Sequence, residues 1–439
     1  MHSKTLFVIV SGLLFFNSCQ QKKKQLLSDA AILHNNEKKL TEVIIYDVFS
    51  PPVASRIYAY TSLASYEAIR FSKKGYPSLT TQLNGFPQMP VPEKNKSYNF
   101  TLAATKAFFT VAEKVTFSID TLKNYEEKLF NDYESYVGEE TFRNSMSFGE
   151  AIGNKILERT KIDNYQKTRG MPKFLGDNND PGKWRPTAPD YLDGMEAYWN
   201  QILPLTLDSC SQFRAASPYP YNTDKKSDFF KNVNEVYTIG KSLTEEQKTI
   251  ARYWDDNPFV IEHSGHLMFG NKKITPVGHW IGITSIACNM KNAGAVETAQ
   301  LYALTSVAIF DAIISCWDEK YRSHMVRPIT VINELIDRNW QPLLQTPPFP
   351  EHTSGHSAIS AAAATILTNH FGDNFAFEDT SDLEYIGMKR KFTSFMQAAL
   401  EASISRVYGG IHYRTGVTEG TKQGLMIGQY INSKIRTKE

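Results

Sequence analysis

One thirteen-residue segment of this 439-residue chain recurs later with seven identical residues. Ile57 to Ile69 and Leu301 to Ile313 share Tyr58/Tyr302, Ala59/Ala303, Thr61/Thr305, Ser62/Ser306, Ala64/Ala308, Ala68/Ala312 and Ile69/Ile313. A repeated unit constrains the architecture more than any composition figure, because like units fold alike and stack alike. The small residues Ala59, Ala64 and Ala68, and likewise Ala303, Ala308 and Ala312, let a neighbouring helix approach closely. A weaker echo links the segment around Gly153 to that around Gly428.

The repeat sits within long apolar segments of three- and four-residue period. They are Val53 to Phe71, Phe100 to Val115, Ser147 to Arg159, Thr298 to Trp317, Ser357 to His370, Phe392 to Val407 and Thr418 to Ile435. That period and length favour helix over strand, and no strand series appears. The expected fold class is all-α, built as two related helical bundles over about 40–170 and 240–435. Between them, 171–240 is richer in Pro, Asp, Asn and Gly, with loop punctuation at Pro181 to Thr187. Trp184, Tyr191, Trp199, Phe213 and Tyr219 argue that this crossover packs on the bundles.

The first residues stand apart. Leu6 to Phe16 are almost all apolar but too few to span a bilayer. Asn17-Ser18-Cys19 follows and resembles the lipobox of bacterial lipoproteins, with Phe16 where leucine is usual. The expected division is a lipoprotein signal peptide at 1–18, a tether at 19–39, an N-terminal bundle with crossover at 40–240, and a site-bearing C-terminal bundle at 241–439. On this reading the protein is exported, periplasmic or anchored at the outer membrane, and meets the membrane only through lipid on Cys19. A net charge of +2 gives no reason to expect nucleic acid. Cys210, Cys288 and Cys316 have no metal-type spacing and no disulfide is expected among them. Cys288 and Cys316 lie in apolar helical stretches and are expected to be buried.

Three clusters in the second half carry chemistry. In Lys320 to Pro328, helical geometry puts Lys320 and Arg327 two turns apart on one face, with His324 between them. Two cations on one face repel unless an anion lies between them. In Pro347-Pro348-Phe349-Pro350-Glu351-His352-Thr353-Ser354-Gly355-His356, Thr353 or Ser354 can cap the helix that follows. Helix N-terminal amides bind oxyanions, and Gly355 lets backbone approach a ligand. In Ser405-Arg406-Val407-Tyr408-Gly409-Gly410-Ile411-His412, the glycines end a helix so that Arg406 and His412 can reach one point. Lysine, two arginines, a serine hydroxyl, a glycine amide and two histidines suit a tetrahedral oxyanion. They do not suit a bare divalent cation.

The ordered spacing Lys-x6-Arg-Pro, Ser-Gly-His, Ser-Arg-x5-His resembles the signature shared by vanadium-dependent haloperoxidases and type-2 phosphatidic acid phosphatases. Trp317, the Pro347-to-Pro350 lead-in and Pro276 to Trp280 are similar to the haloperoxidase branch, in particular its bacterial iodoperoxidase-like group. The likeness covers about 250–425 well. It implies a vanadate cofactor whose vanadium His412 coordinates. Lys320, Arg327 and Arg406 would neutralise its oxygens, and Ser354 and the Gly355 amide would hydrogen-bond it. His356 would serve as acid–base, while Trp317 and Phe349 line the pocket. The catalytic residues would be His356, His412 and Lys320. The implied activity is oxidation of halide, iodide first, by hydrogen peroxide to hypohalous acid. The alternatives are an acid phosphatase with His412 as nucleophile and a non-catalytic oxyanion-binding lipoprotein. Against a lipid phosphatase, no internal run reaches eighteen uninterrupted apolar residues.

Two departures stand out. Thr353 replaces the usual proline, and Gly416 stands where a carboxylate commonly supports the final histidine. Asp255, Asp256 and Asp318 are the acidic candidates near the site. Among the other histidines, His279 beside Trp280 is read as structural. His263 and His266 lack a third ligand, His352 is read as a loop side chain, and His324 as a donor behind the site.

Overall fold

The structure, a computed structural model, describes residues 27–258 and 273–439, with the backbone of 261–264 and 267–270. Residues 1–26, with the expected signal peptide, Cys19 and the start of the expected tether, lie outside the described residues, as does His266, while His263 is described in its backbone only. The rest of the expected tether is not free chain, since a helix with Ile32 and Leu33 buried begins at Asp29.

The first half contains α1 (Asp29–Tyr46), α2 (Pro51–Ile69), α3 (Phe100–Val115), α4 (Ile119–Val137), α5 (Glu139–Ile162) and the short α6 (Tyr165–Arg169). The second contains α7 (Asp228–Lys241), α8 (Glu245–Tyr253), α9 (Pro276–Met290), α10 (Ala295–Ser323), α11 (Pro328–Leu335), α12 (Gly355–Phe371), α13 (Leu383–Ile386), α14 (Phe395–Tyr408) and α15 (Arg414–Lys434). The protein is mostly helical, as its periodicity predicts, at 60% helix and 3% strand. The strand consists of two antiparallel hairpins that the sequence reading did not contain. They are β1 (Ile261–Ser264) with β2 (Leu267–Gly270), and β3 (Phe377–Asp379) with β4 (Arg390–Phe392). Each strand is only three or four residues long, too short for an alternation signal.

The thirteen-residue repeat forms α2 and the middle of α10, and these two helices pack against each other at the centre. Every residue of α2 is buried. Around this pair the halves repeat one packing scheme. α3 packs on α2 and α5, as α12 packs on α10 and α15. The echo at Gly153 and Gly428 is part of it. A Cβ on Gly149 would stand 2.2 Å from the Ala103 carbonyl, and one on Gly153 2.7 Å from Thr110 Cβ. In the second half the same spacing recurs, with Gly424 against the Ala358 carbonyl at 2.2 Å and Gly428 against Thr365 Cβ at 2.6 Å. Only glycine permits helix backbones to meet this closely.

One buried cluster runs through both halves, from Leu40 and Ile57 through Trp280 and Phe310 to Ile359 and Ile427. Cys288 and Cys316 are buried in it or beside it, as expected. Among the described residues α10 is the helix long and apolar enough to cross a membrane, but its apolar stretch is wholly buried in this core.

The crossover is held to α10. Leu205 and Thr206 amides each donate to the Asp311 carboxylate at 2.7 Å, and Tyr321 donates to the Met195 carbonyl at 2.6 Å. Of the aromatics that argued for packing, Trp184 and Trp199 are buried and Phe213 is half-buried, whereas Tyr191 and Tyr219 are 65% and 42% exposed.

Candidate active site

The expectation that Lys320 and Arg327 share a helix face is not met. α10 ends at Ser323, where His324 adopts a left-handed φ of 51°. Pro328 causes the break: proline takes the first position of α11 and disfavours helix in the residue before it. Arg327 is accordingly extended, at ψ 151°. The two cations still converge, because both grip the Pro-rich loop. Lys320 Nζ donates to the carbonyls of Pro350 at 3.0 Å, Glu351 at 3.1 Å and Thr353 at 2.5 Å. Arg327 donates through Nε to the Phe349 carbonyl and through Nη1 to the Ile411 carbonyl, both at 2.8 Å. His324 does not act as a donor to the site; its ring lies 4.8 Å from that of Phe174.

Ser354 caps α12, its hydroxyl accepting from the Ser357 amide at 3.3 Å. Gly355 opens the helix under Trp317, where a Cβ would meet the ring at 3.5 Å. His356 follows in the first turn, and its Nε2 is buried without a hydrogen-bond partner. α14 ends at Tyr408 with Gly409 as its cap, and Gly410 turns the chain at φ 77°. The turn brings Arg406 and His412 together, as the glycines predict. Arg406 Nη2 donates to the Trp254 carbonyl, and Nε donates to Ser405 Oγ at 3.0 Å. His412 Nε2 faces Arg327 Nη1 at 3.2 Å.

The carboxylate missing at Gly416 is supplied from the loop. Glu351 Oε1 accepts from His412 Nδ1 at 2.7 Å and from the Tyr413 amide at 3.1 Å. None of the three aspartates considered for this task performs it. Asp318 pairs with Arg322 at 3.4 Å, Asp255 with Lys273 at 2.5 Å, and Asp256 with His279 at 3.1 Å. The reading of the sequence also missed what surrounds His279. This buried imidazole bonds Asp256 on one side and Asp379, at 2.9 Å, on the other, with Asp382 at 3.5 Å. Burial opposes its charge, yet Asp256, Asp379 and Asp382 hold it well above its ordinary pKa. Asp256 Oδ2 lies 3.9 Å from His356 Nε2, so this cluster borders the site. His352 is buried and bonds the Ala216 carbonyl at 2.9 Å through Nε2.

Burial sets the charges. It pushes the Lys320 ammonium down to about 8, and Arg327 and Arg406 each down to about 10. It drives His356 and His412 well below the ordinary imidazole value, helped by Arg406 at His356 and by Arg327 at His412. Both histidines are therefore neutral at pH 7. Among the described residues the three cations are held by neutral oxygens rather than by ion pairs. Carbonyls orient a cation without neutralising it, and Glu351 near Lys320 and Arg327, with Asp255 and Asp256 near Arg406, offset the cost of burying these charges only in part. One guanidinium nitrogen, Arg327 Nη2, has no partner at all. This set fits a multiply charged oxyanion. Arg406, His356, His412, Gly355, Trp317 and Phe349 line a small cleft, with Pro51 of α2 at its wall. Lys320, Arg327 and Ser354 are buried behind that lining.

Paired helical bundles and a cationic pocket with two neutral histidines define a class of oxyanion-binding enzymes. A sequence profile described as VCPO second helical-bundle domain matches residues 300–438. No curated protein sequence matches the chain. Among solved structures the chain is similar to the first bacterial vanadium-dependent iodoperoxidase, with 43% identity and a TM-score of 0.89, covering 94% of this chain and 98% of that one. It shares its fold with bacterial vanadium-dependent chloroperoxidase in two forms. The holo form gives 17% identity and TM-score 0.69, covering 88% of this chain and 93% of that one; the apo form gives 16% and 0.68, covering 88% and 94%. The chain belongs to the vanadium-dependent haloperoxidase family, and is an enzyme of the peroxidase type.

Proposed function

We propose that the protein binds vanadate and oxidises halide, iodide foremost, with hydrogen peroxide to hypohalous acid. The observation that carries this reading is the trio Lys320, Arg327 and Arg406, buried against carbonyls and facing two neutral histidines. When bound, vanadate supplies a Lewis-acidic centre that activates peroxide without changing oxidation state. His412 Nε2 would hold the metal, while the three cations balance the oxyanion charge. The Ser354 hydroxyl and Gly355 amide would orient its oxygens at the start of α12. His356 Nε2 is neutral and free of a protein partner, so it can take a proton from peroxide and return it. The overall reaction consumes one proton as halide and peroxide become hypohalous acid and water. Trp317 and Phe349, with ring centroids 5.2 Å apart, give the cleft an apolar wall for a large polarisable halide. Iodide is chosen because the 43%-identical relative is an iodoperoxidase. Export and lipidation at Cys19 belong to the same proposal. Palmitate labelling that persisted in Cys19→Ala would remove the anchor from it.

The test is an assay of purified protein with and without orthovanadate, for peroxide-driven oxidation of iodide and bromide and for phosphate-ester cleavage. Vanadate-dependent iodide oxidation is expected, and His412→Ala should abolish it. Ester cleavage that needs no vanadate, and that vanadate inhibits, would mean a phosphatase instead.

A further inference from the structure

We infer that Glu351 is the positioning residue that fixes the tautomer of His412, and that positions 351 and 416 form one exchangeable carboxylate site. This rests on reading His412 as the ligand of the oxyanion. The Glu351 side chain is 1% exposed and its Oε1 stands 2.7 Å from His412 Nδ1. A Cβ placed on Gly416 would lie 2.2 Å from that same oxygen and 2.9 Å from both Cδ and Oε2. The carboxylate head therefore fills the space that a side chain at 416 would need. Each excludes the other, which is why glycine stands at 416.

Two contacts independently select one tautomer. Burial pushes the Glu351 carboxyl up to about 7, while Arg327, Lys320 and the Tyr413 amide favour its ionised form, and as a carboxylate it can only accept from His412 Nδ1. That puts the imidazole proton on Nδ1. On the other side, Arg327 Nη1 faces His412 Nε2 at 3.2 Å, and a guanidinium can only donate. Nε2 therefore carries the lone pair, which accepts from Arg327 here and would turn to the oxyanion when one is bound. Glu351 does more than a carboxylate on α15 could. Its backbone carbonyl accepts from Lys320 at 3.1 Å and its amide donates to the Met325 carbonyl at 3.0 Å. The same residue holds the imidazole by its side chain and a pocket cation by its backbone.

The experiment uses the full chain and orthovanadate, reading vanadate affinity by calorimetry and the His412 tautomer by ¹⁵N NMR without turnover. Glu351→Ala is expected to weaken vanadate binding by about 10- to 100-fold and to release the Nδ1–H tautomer. Gly416→Asp alone should also bind poorly, since two carboxylates then compete for one space. The double exchange E351A/G416D should recover both the affinity and the tautomer. Wild-type affinity and tautomer in Glu351→Ala would overturn the inference, as would a folded double exchange that recovers neither. If Glu351→Ala does not fold, Glu351→Met, similar in volume but without the oxygen acceptor, carries the test: a several-fold loss of affinity supports the inference and no change overturns it. Failure of the wild-type protein to bind vanadate would sink the proposed function instead, and the tautomer measurement would still judge Glu351.

Discussion

Glu37 on α1 is 4% exposed, accepts from Ser62 Oγ at 2.7 Å through one oxygen, and leaves its other oxygen without a partner. Burial raises its carboxyl from 4.5 to about 8, with Ser62 opposing. The folded protein therefore keeps a proton that the unfolded chain releases between these values. Its contribution is intact below pH 4.5 and is lost as pH rises toward 8, at up to about 1.4 kcal/mol per pH unit. Glu37→Gln stays neutral throughout, so its advantage in melting temperature over the wild type should widen from pH 5 to pH 8. Parallel curves would reject the assignment. At this scale the oxyanion residues were legible because each lies in a short motif whose order and spacing carry meaning. Glu351 was not, since it reaches His412 across 61 residues of sequence and no local spacing encodes that contact. The signal available was a pair: glycine where a carboxylate belongs, and an unexplained glutamate inside the Pro-rich lead-in. The aspartates around His279 were hidden for the same reason, with Asp379 arriving from 100 residues away.

Helices were legible through their period, and the central pair through its repeat, but one helix end was misjudged. Lys320 to Arg327 reads as two helical turns until Pro328 is given its full weight; its ring forbids the continuous helix that the spacing argument assumed. Convergence survived because carbonyls of residues 349–353 collect both cations, a contact that periodicity cannot express. The glycine contacts between helices give a prediction with an internal control. Gly424→Ala and Gly149→Ala each drive a methyl to 2.2 Å from a carbonyl of the partner helix. Each should destabilise by about 1–3 kcal/mol, because neither helix can yield without repacking. Their effects on the site should differ. Gly424 sets α15 against α12, whose first turn carries Ser354 and His356, whereas Gly149 sets α5 against α3. Urea unfolding and vanadate titration should show equal stability losses but weakened binding only in Gly424→Ala. Equal weakening of binding in Gly149→Ala would contradict this reading.

Across the whole molecule, the two halves share rather than merely abut. α2 and α10 are each other's partners, one buried cluster continues through both, and Pro51 at the start of α2 reaches the wall of the cleft. Separate bundles with separate cores would unfold in separate steps, as large proteins commonly do. Here, opening the first half would strip the central face of α10, which carries Trp317 and Lys320 at its end. The apolar surface so exposed would have to be offset by nothing, so partial opening is disfavoured. A bound oxyanion would then act on the entire fold. Vanadate binding only the native state, at roughly a hundred times its Kd, should stabilise by about 2.7 kcal/mol. With a shared core that gain belongs to one transition. Scanning calorimetry should show a single endotherm that moves upward with vanadate. Hydrogen exchange should show α3 and α5 gaining protection with α12 and α15, although they touch none of the oxyanion residues. Two endotherms, of which vanadate moved only one, would mean that the halves are energetically independent.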